Sequence, residues 1–171
     1  MELSKPQDPR HIRFKLALPT VLLVLVVLLS QISYDVSAIQ RGMPLIAGGL
    51  IFYWGLFRPD LVPFAVCLGV GLLQDILSGV PLGLHGLGYI LLRQVASSRR
   101  QYLHARPFHV VWLFFIAAFA FWALIEGFVM SALGYPFGSA PIARFVATVL
   151  VFPLVYSFAG RFHHRYLRQG V

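Results

Sequence analysis

Acidic residues are scarce: six Asp and Glu stand against 14 Lys and Arg, and charges of both signs make up only 12% of the 171 residues. That poverty of charge excludes the solvated surface of an ordinary soluble domain, because 58% of the chain is hydrophobic and a single core of this length cannot hide so much apolar surface from water. Lipid accepts apolar side chains on the outside of a fold, so the chain reads as one all-α, polytopic membrane bundle with no soluble domain. Cysteine is nearly missing too. Cys67 alone excludes an internal disulfide and any cysteine-built zinc cage, and it reads as a small hydrophobe inside a helix. The net charge of +8 would suit nucleic acid, but the basic residues are dispersed between apolar runs and form no continuous patch, so nucleic acid is not an expected partner.

Catalytic signatures are absent as well. There is no His-Glu-x-x-His, no Gly-x-Ser-x-Gly and no phosphate-cradling Gly-Lys-Ser. His163-His164 sit among Arg161, Arg165 and Arg168 and read as a solvated basic tail. No enzyme activity, cofactor or metal site is expected.

What is present is a series of long apolar runs. A hydrocarbon core about 30 Å thick takes roughly 20 helical residues. Six runs qualify: Leu16 to Ser33, Ile39 to Phe57, Leu61 to Ser78, Leu82 to Ala96, Phe108 to Leu133, and Pro141 to Gly160. They predict a six-helix membrane domain over 16–160, between a basic N-terminus, 1–15, and a basic tail, 161–171. Short loops rich in Lys and Arg stay in the cytoplasm. Lys5, Arg10, Arg13, Lys15, Arg58, Arg93, Arg99, Arg100, Arg106, Arg161, Arg165 and Arg168 all fall on one side, leaving Arg41 and Arg144 near the other. Both termini are therefore expected in the cytoplasm. A cleaved signal peptide ending near Val36-Ser37-Ala38 is the competing reading, weakened by the distance of those residues from the end of the apolar run at Leu29.

Pro153, mid-span, predicts a kink, and Gly48, Gly49, Gly55, Gly69 and Gly71 leave flat helix surfaces where backbones can approach. Gly48 and Gly49 are a candidate face for a partner's helix, and could equally pack within the bundle. Arg99, Arg100 and Arg106, with Tyr102, and the tail residues Arg161, Arg165 and Arg168 are expected against anionic lipid headgroups.

Charges inside a bilayer are expensive and usually have partners. With this orientation Asp75, Glu126 and Arg144 all fall in the outer half, which predicts a polar cluster of Arg144 with Glu126 or Asp75, joined by His85; the bland alternative has each side chain snorkelling separately to the headgroups. Ser78-Gly79-Val80-Pro81 reads as a turn between antiparallel helices, with Asp75 beneath it accepting from the amide groups that open the fourth helix. Such an arrangement is a hairpin clasp.

The run Gly71-Leu-Leu-Gln-Asp75-Ile-Leu-Ser-Gly-Val-Pro81-Leu-Gly-Leu-His85 resembles the signature of the bacterial rod shape-determining protein MreD family. The Asp-x-x-Ser-Gly-x-Pro-Leu-Gly core is its specific part, and the likeness in length and span number covers essentially the whole chain. Membership implies a noncatalytic scaffold of the peptidoglycan elongation machinery in the cytoplasmic membrane. The implied partner is MreC, and through it the actin-like MreB filament, the SEDS glycosyltransferase and the transpeptidase. The family is also held to look like the S components of energy-coupling-factor transporters, six-helix membrane proteins, which makes vitamin uptake the alternative. An outward polar pocket of Asp75, His85, Glu126 and Arg144 would serve that reading.

Overall fold

The stretch Ile46-Ala-Gly-Gly-Leu-Ile-Phe-Tyr-Trp-Gly-Leu-Phe57 is apolar on every face of a helix, and such a helix needs neighbours all round. In the computed structural model, which describes residues 9–30, 43–135 and 140–162, that is where it sits. The described elements are α1 (Pro9–Ser30), α2 (Ile46–Phe57), a 3-10 turn (Pro59–Leu61), α3 (Phe64–Ser78), α4 (Leu84–Ser98), α5 (Arg100–His104), α6 (Phe108–Ala132) and α7 (Ala140–Phe162). Among the described residues there are seven helices and no strand. α2 is the axis: Ala47 through Leu56 are all buried. α1, α4 and α7 pack around it, α3 lies along α4 and α1, and α6 closes against α4 and α7.

Small residues allow these crossings. Gly48 faces Tyr89 and Leu92 of α4, Gly49 faces Phe152 and Val155 of α7, and Gly55 lies against the backbone of Arg93. Of the two roles expected for Gly48 and Gly49, packing within the bundle is the one seen, and the outer docking face is corrected. Both are buried, and α2 has no outward side on which a partner could lie. Stacked rings fill the space beside them, with Phe115 and Phe152 centroids 3.9 Å apart and Phe52 edge-on to Phe115 at 5.3 Å.

The exterior is inverted relative to a soluble protein. Phe128 is 76% exposed, Leu124 74% and Leu154 71%, while Asp75 is fully buried. Exposed Val21 and Leu25 on α1, Leu68 and Ile76 on α3 and Leu87 on α4 extend the apolar surface round the bundle. A face this apolar belongs in lipid.

Lengths differ from the sequence expectation. α6, at 25 residues, and Pro141–Arg161 of α7, at 21, are long and apolar enough to cross a bilayer unaided. The 12 residues of α2 reach only about 18 Å at 1.5 Å per residue. The second run, expected from Ile39, becomes helical only at Ile46; residues 39–42, like 31–33 at the end of the first run, lie outside the described residues. The third starts at Phe64 instead of Leu61, since the 3-10 turn and extended Pro63 (ψ 162) precede it. The fourth starts at Leu84 instead of Leu82, after Gly83 at φ 94, and runs to Ser98. The short α5 was not foreseen. Lys5, Val36-Ser37-Ala38, Arg41, His163, His164, Arg165 and Arg168 also fall outside the described residues.

Buried non-helical backbone needs partners within the protein. Thr148 on α7 accepts from the Leu45 amide at 2.9 Å, just before α2. Beyond α2, Arg93 donates to the Val62 and Pro59 carbonyls at 2.6 and 3.1 Å, and His104 lies 3.2 Å from the Leu56 carbonyl. The proline in α7 is handled in the same way. Pro153 has no N–H to give the carbonyl one turn back, that of Val149, and the Trp112 indole on α6 donates to that oxygen at 3.1 Å. Replacing Trp112 by Phe is expected to lower thermal stability in detergent by about 1 kcal/mol. In a Pro153→Ala background, where the helix supplies its own N–H, the same change should have little effect; equal losses in both backgrounds would refute the pairing.

Candidate functional site

The two ends of the bundle differ in chemistry. At one end the C-termini of α2, α4 and α7 meet α5 and the start of α6: the Phe57 ring lies 4.8 Å from His104 and 6.0 Å from Tyr156, and the Phe108 and Tyr156 rings are 4.9 Å apart. Arg99, Arg100, Arg106 and Arg161 are exposed there, Arg106 over the Tyr102 ring at 4.6 Å. The opposite end gathers Asp75, His85, Glu126 and Arg144.

The clasp is built from the α3–α4 hairpin. Gly79, at φ 66, ends α3 in the left-handed conformation, and the Val80 amide returns to the Asp75 carbonyl at 3.2 Å. Ser78 is the last, exposed residue of α3, and Pro81 accepts from the Leu84 amide at 3.3 Å. This turn brings the opening of α4 over the Asp75 side chain. One carboxylate oxygen accepts from the Gly83 amide at 2.7 Å; the other accepts from the His85 amide at 3.1 Å and lies 2.6 Å from His85 Nδ1. Asp75 thus takes up donors that the first turn of a helix leaves unpaired, where the backbone dipole also favours negative charge. An ionised carboxylate only accepts, so against ionised Asp75 the Nδ1 nitrogen is the donor of the ring.

Further contacts continue the seam. The Tyr89 hydroxyl donates to the Gln74 side-chain oxygen. One turn below, Gly71 meets Gly86 so closely that a Cβ on Gly71 would lie 2.3 Å from the Gly86 Cα and N. A Cβ on Gly88 would lie 1.9 Å from the Trp122 indole nitrogen on α6. Gln74, Tyr89, Gly86, Gly88 and Trp122 were not singled out in the sequence. The spacing offered a signal for the polar pair, since Gln74 adjoins Asp75 and Tyr89 falls one turn after His85.

Arg144 and Glu126 form the second feature. Nη1 lies 3.0 Å from Oε1, joining α7 to α6, with the side chains 26% and 15% exposed. The four polar residues thus divide into two pairs, Asp75 with His85 and Glu126 with Arg144. Trp122 lies between them: its ring centroid is 5.6 Å from that of His85, and it lines the same recess as Glu126 and Arg144. Among the described residues, His85 Nε2 and Trp122 Nε1 are buried without a hydrogen-bond partner.

A double-mutant cycle on Glu126→Gln and Arg144→Ala is expected to return a coupling of about 0.6–1.7 kcal/mol, between the mean and the maximum found for polar contacts between membrane helices. Strictly additive losses of stability would show that the two side chains act independently.

Chemically the arrangement holds helices together. Both Asp75 oxygens are engaged, and among the described residues no three His, Cys, Asp or Glu side chains converge as metal ligands would. The recess beside Glu126 and Arg144 has a volume of about 100 Å³. Pockets for vitamin-sized ligands run to about 300–1,000 Å³. Substrate capture of the S-component kind gains no support from a recess of that size.

A family model described as rod shape-determining protein MreD matches residues 11–162. No curated protein and no solved structure matches the chain. The matched interval takes in every described helix except the first two residues of α1, and the chain therefore belongs to the MreD family of bacterial rod shape-determining membrane proteins.

Proposed function

We propose that this protein is a noncatalytic membrane scaffold of the peptidoglycan elongation complex, which binds MreC and through it helps position the wall synthases alongside the actin-like MreB filament. The observation that carries this reading is the family match over nearly the whole chain. The geometry agrees in kind, since the buried polar groups are spent on joining helices and the outer surface is broad and apolar.

In this reading six segments cross the bilayer, the short helices completing their path with the side-chain-paired connectors around α2. Both termini lie in the cytoplasm with the arginine-rich end, as the bias of basic residues favours, and the clasp end faces the periplasm. Arg99, Arg100, Arg106 and Arg161 rest against anionic headgroups. With Gly48 and Gly49 buried, the partner's transmembrane helix docks on α3, where Ala65 and Gly69 are exposed one turn apart and nothing lies within 4 Å of a Cβ built on Gly69.

Affinity purification from membranes in mild detergent tests the assignment. MreC should be retained by the wild-type protein and lost on Gly69→Leu, while a Leu154→Ala change on the opposite helix keeps it. Retention of a transporter's coupling subunit in place of MreC would overturn the scaffold reading, and retention of MreC by Gly69→Leu would move the docking face elsewhere.

A further inference from the structure

The recess between α6 and α7 has a feature that helix packing alone does not use. Arg144 and Glu126 share one recorded hydrogen bond, Nη1 to Oε1. A guanidinium carries five N–H donors in a planar fork and a carboxylate has two acceptor oxygens, so the pair retains both donors and an acceptor. The same recess is lined by the aromatic rings of Phe119, Trp122 and Phe145 and, at its rim, by exposed Ser131 and Tyr135. It is therefore amphipathic, with one cation and one anion side by side and a hydroxyl-bearing edge.

We propose that this recess binds the headgroup of a zwitterionic phospholipid with a primary ammonium, the phosphatidylethanolamine class, its phosphate against Arg144 and its ammonium against Glu126. The inference rests on the reading that this end of the bundle lies in a headgroup layer. Charge complementarity selects the occupant. A lone anion in the recess would meet Glu126 and a lone cation would meet Arg144, whereas a zwitterion places each of its charges opposite the matching residue. A trimethylated ammonium has no N–H to donate to the carboxylate, and an anionic headgroup gains from Arg144 what it loses to Glu126. The volume of about 100 Å³ suits a headgroup fragment. Tyr135 at the rim matches the preference of tyrosine for the membrane interface.

Native mass spectrometry of the full chain in detergent, titrated with phosphatidylethanolamine, phosphatidylcholine and phosphatidylglycerol of identical acyl chains, tests this. Phosphatidylethanolamine should be retained about fivefold better than either of the others, the factor for one charge-assisted hydrogen bond across a membrane site. Glu126→Gln should bring its ratio to phosphatidylcholine near one, and Arg144→Gln should abolish retention of the tightest lipid. Equal retention of all three lipids, preference for phosphatidylglycerol, or a ratio unchanged by Glu126→Gln would each overturn the proposal. The wild-type ratio needs no variant, so it decides even where Arg144→Gln does not fold. Labelling of Ser131→Cys by a membrane-impermeant maleimide tests the placement separately: label without lipid preference removes the lipid site alone, and no label from either side of the membrane removes the placement and the proposal with it.

Discussion

Changing Asp75 to Leu is expected to destabilise the protein by about 2–5 kcal/mol and to turn rod-shaped cells round when it replaces the wild-type copy. Three donors lose their acceptor at once: the Gly83 amide, the His85 amide and His85 Nδ1. The lower figure follows from hydrogen bonds between membrane helices, about 0.6 kcal/mol each because an opened bundle finds other partners. The upper figure applies when several buried donors are left without an acceptor, at about 1–3 kcal/mol each. Backbone donors favour the upper part of that range, since Gly83 and His85 are held by the turn and cannot swing to another acceptor. Asp75→Asn retains an acceptor oxygen but not two, and should fall between Leu and wild type. His85→Ala spares both amide bonds and should do less damage than either. Thermal unfolding in detergent, followed by fluorescence-detected size exclusion, gives the order. A Leu variant as stable as wild type that also supports rod shape would remove the clasp from any account of this protein.

The clasp was legible because the turn announces itself. Ser78-Gly79-Val80-Pro81 marks a reversal, and Asp75 and His85 each stand five residues from Val80, so a hairpin folded there brings them level. A charge inside an apolar run demands a partner, and the chain offers few. Gln74 and Tyr89 raised no such demand, being neutral, and their pairing passed unnoticed. Direction was harder to read. A helix apolar on all faces has no polar stripe to show which side meets lipid, so the glycine faces of α2 looked as suitable for a partner as for α4 and α7. Length was harder still, because hydropathy scores Leu61 and Leu82 the same in a turn as in a helix. Only the positive φ of Gly83 and the prolines before Phe64 separate helix from connector. The contacts of Gly71 with Gly86 and of Gly88 with Trp122 depend on how two helices cross, and no pattern along one strand of sequence carries that information.

Those two crossings set the other large expected effect. Gly71→Ala would place a methyl group 2.3 Å from backbone atoms of Gly86, which have no rotamer to change, so α3 and α4 must separate. Gly88→Ala would place one 1.9 Å from the indole of Trp122, a large ring that is itself only 2% exposed. Forcing extra volume into packed sites costs about 1–3 kcal/mol and more where backbone must move, so Gly71→Ala should be at or above the top of that range. Gly69→Ala, on the same helix with nothing within 4 Å, should be neutral and serves as the control. The two damaged sites differ in how they can be repaired. In a Trp122→Leu background, which lacks the obstructing ring, Gly88→Ala should cost much less than in the wild type, whereas no side-chain change on α4 should rescue Gly71→Ala. Gly71 lies one turn before Asp75 on the buried face of α3, so separating the helices there also lengthens the bonds of 2.6–3.1 Å at the clasp. Combining Gly71→Ala with Asp75→Leu should therefore cost clearly less than the sum of the single changes. Fully additive losses would mean that the close approach and the clasp stabilise different parts of the bundle, and that the hairpin is not the unit that holds this end together.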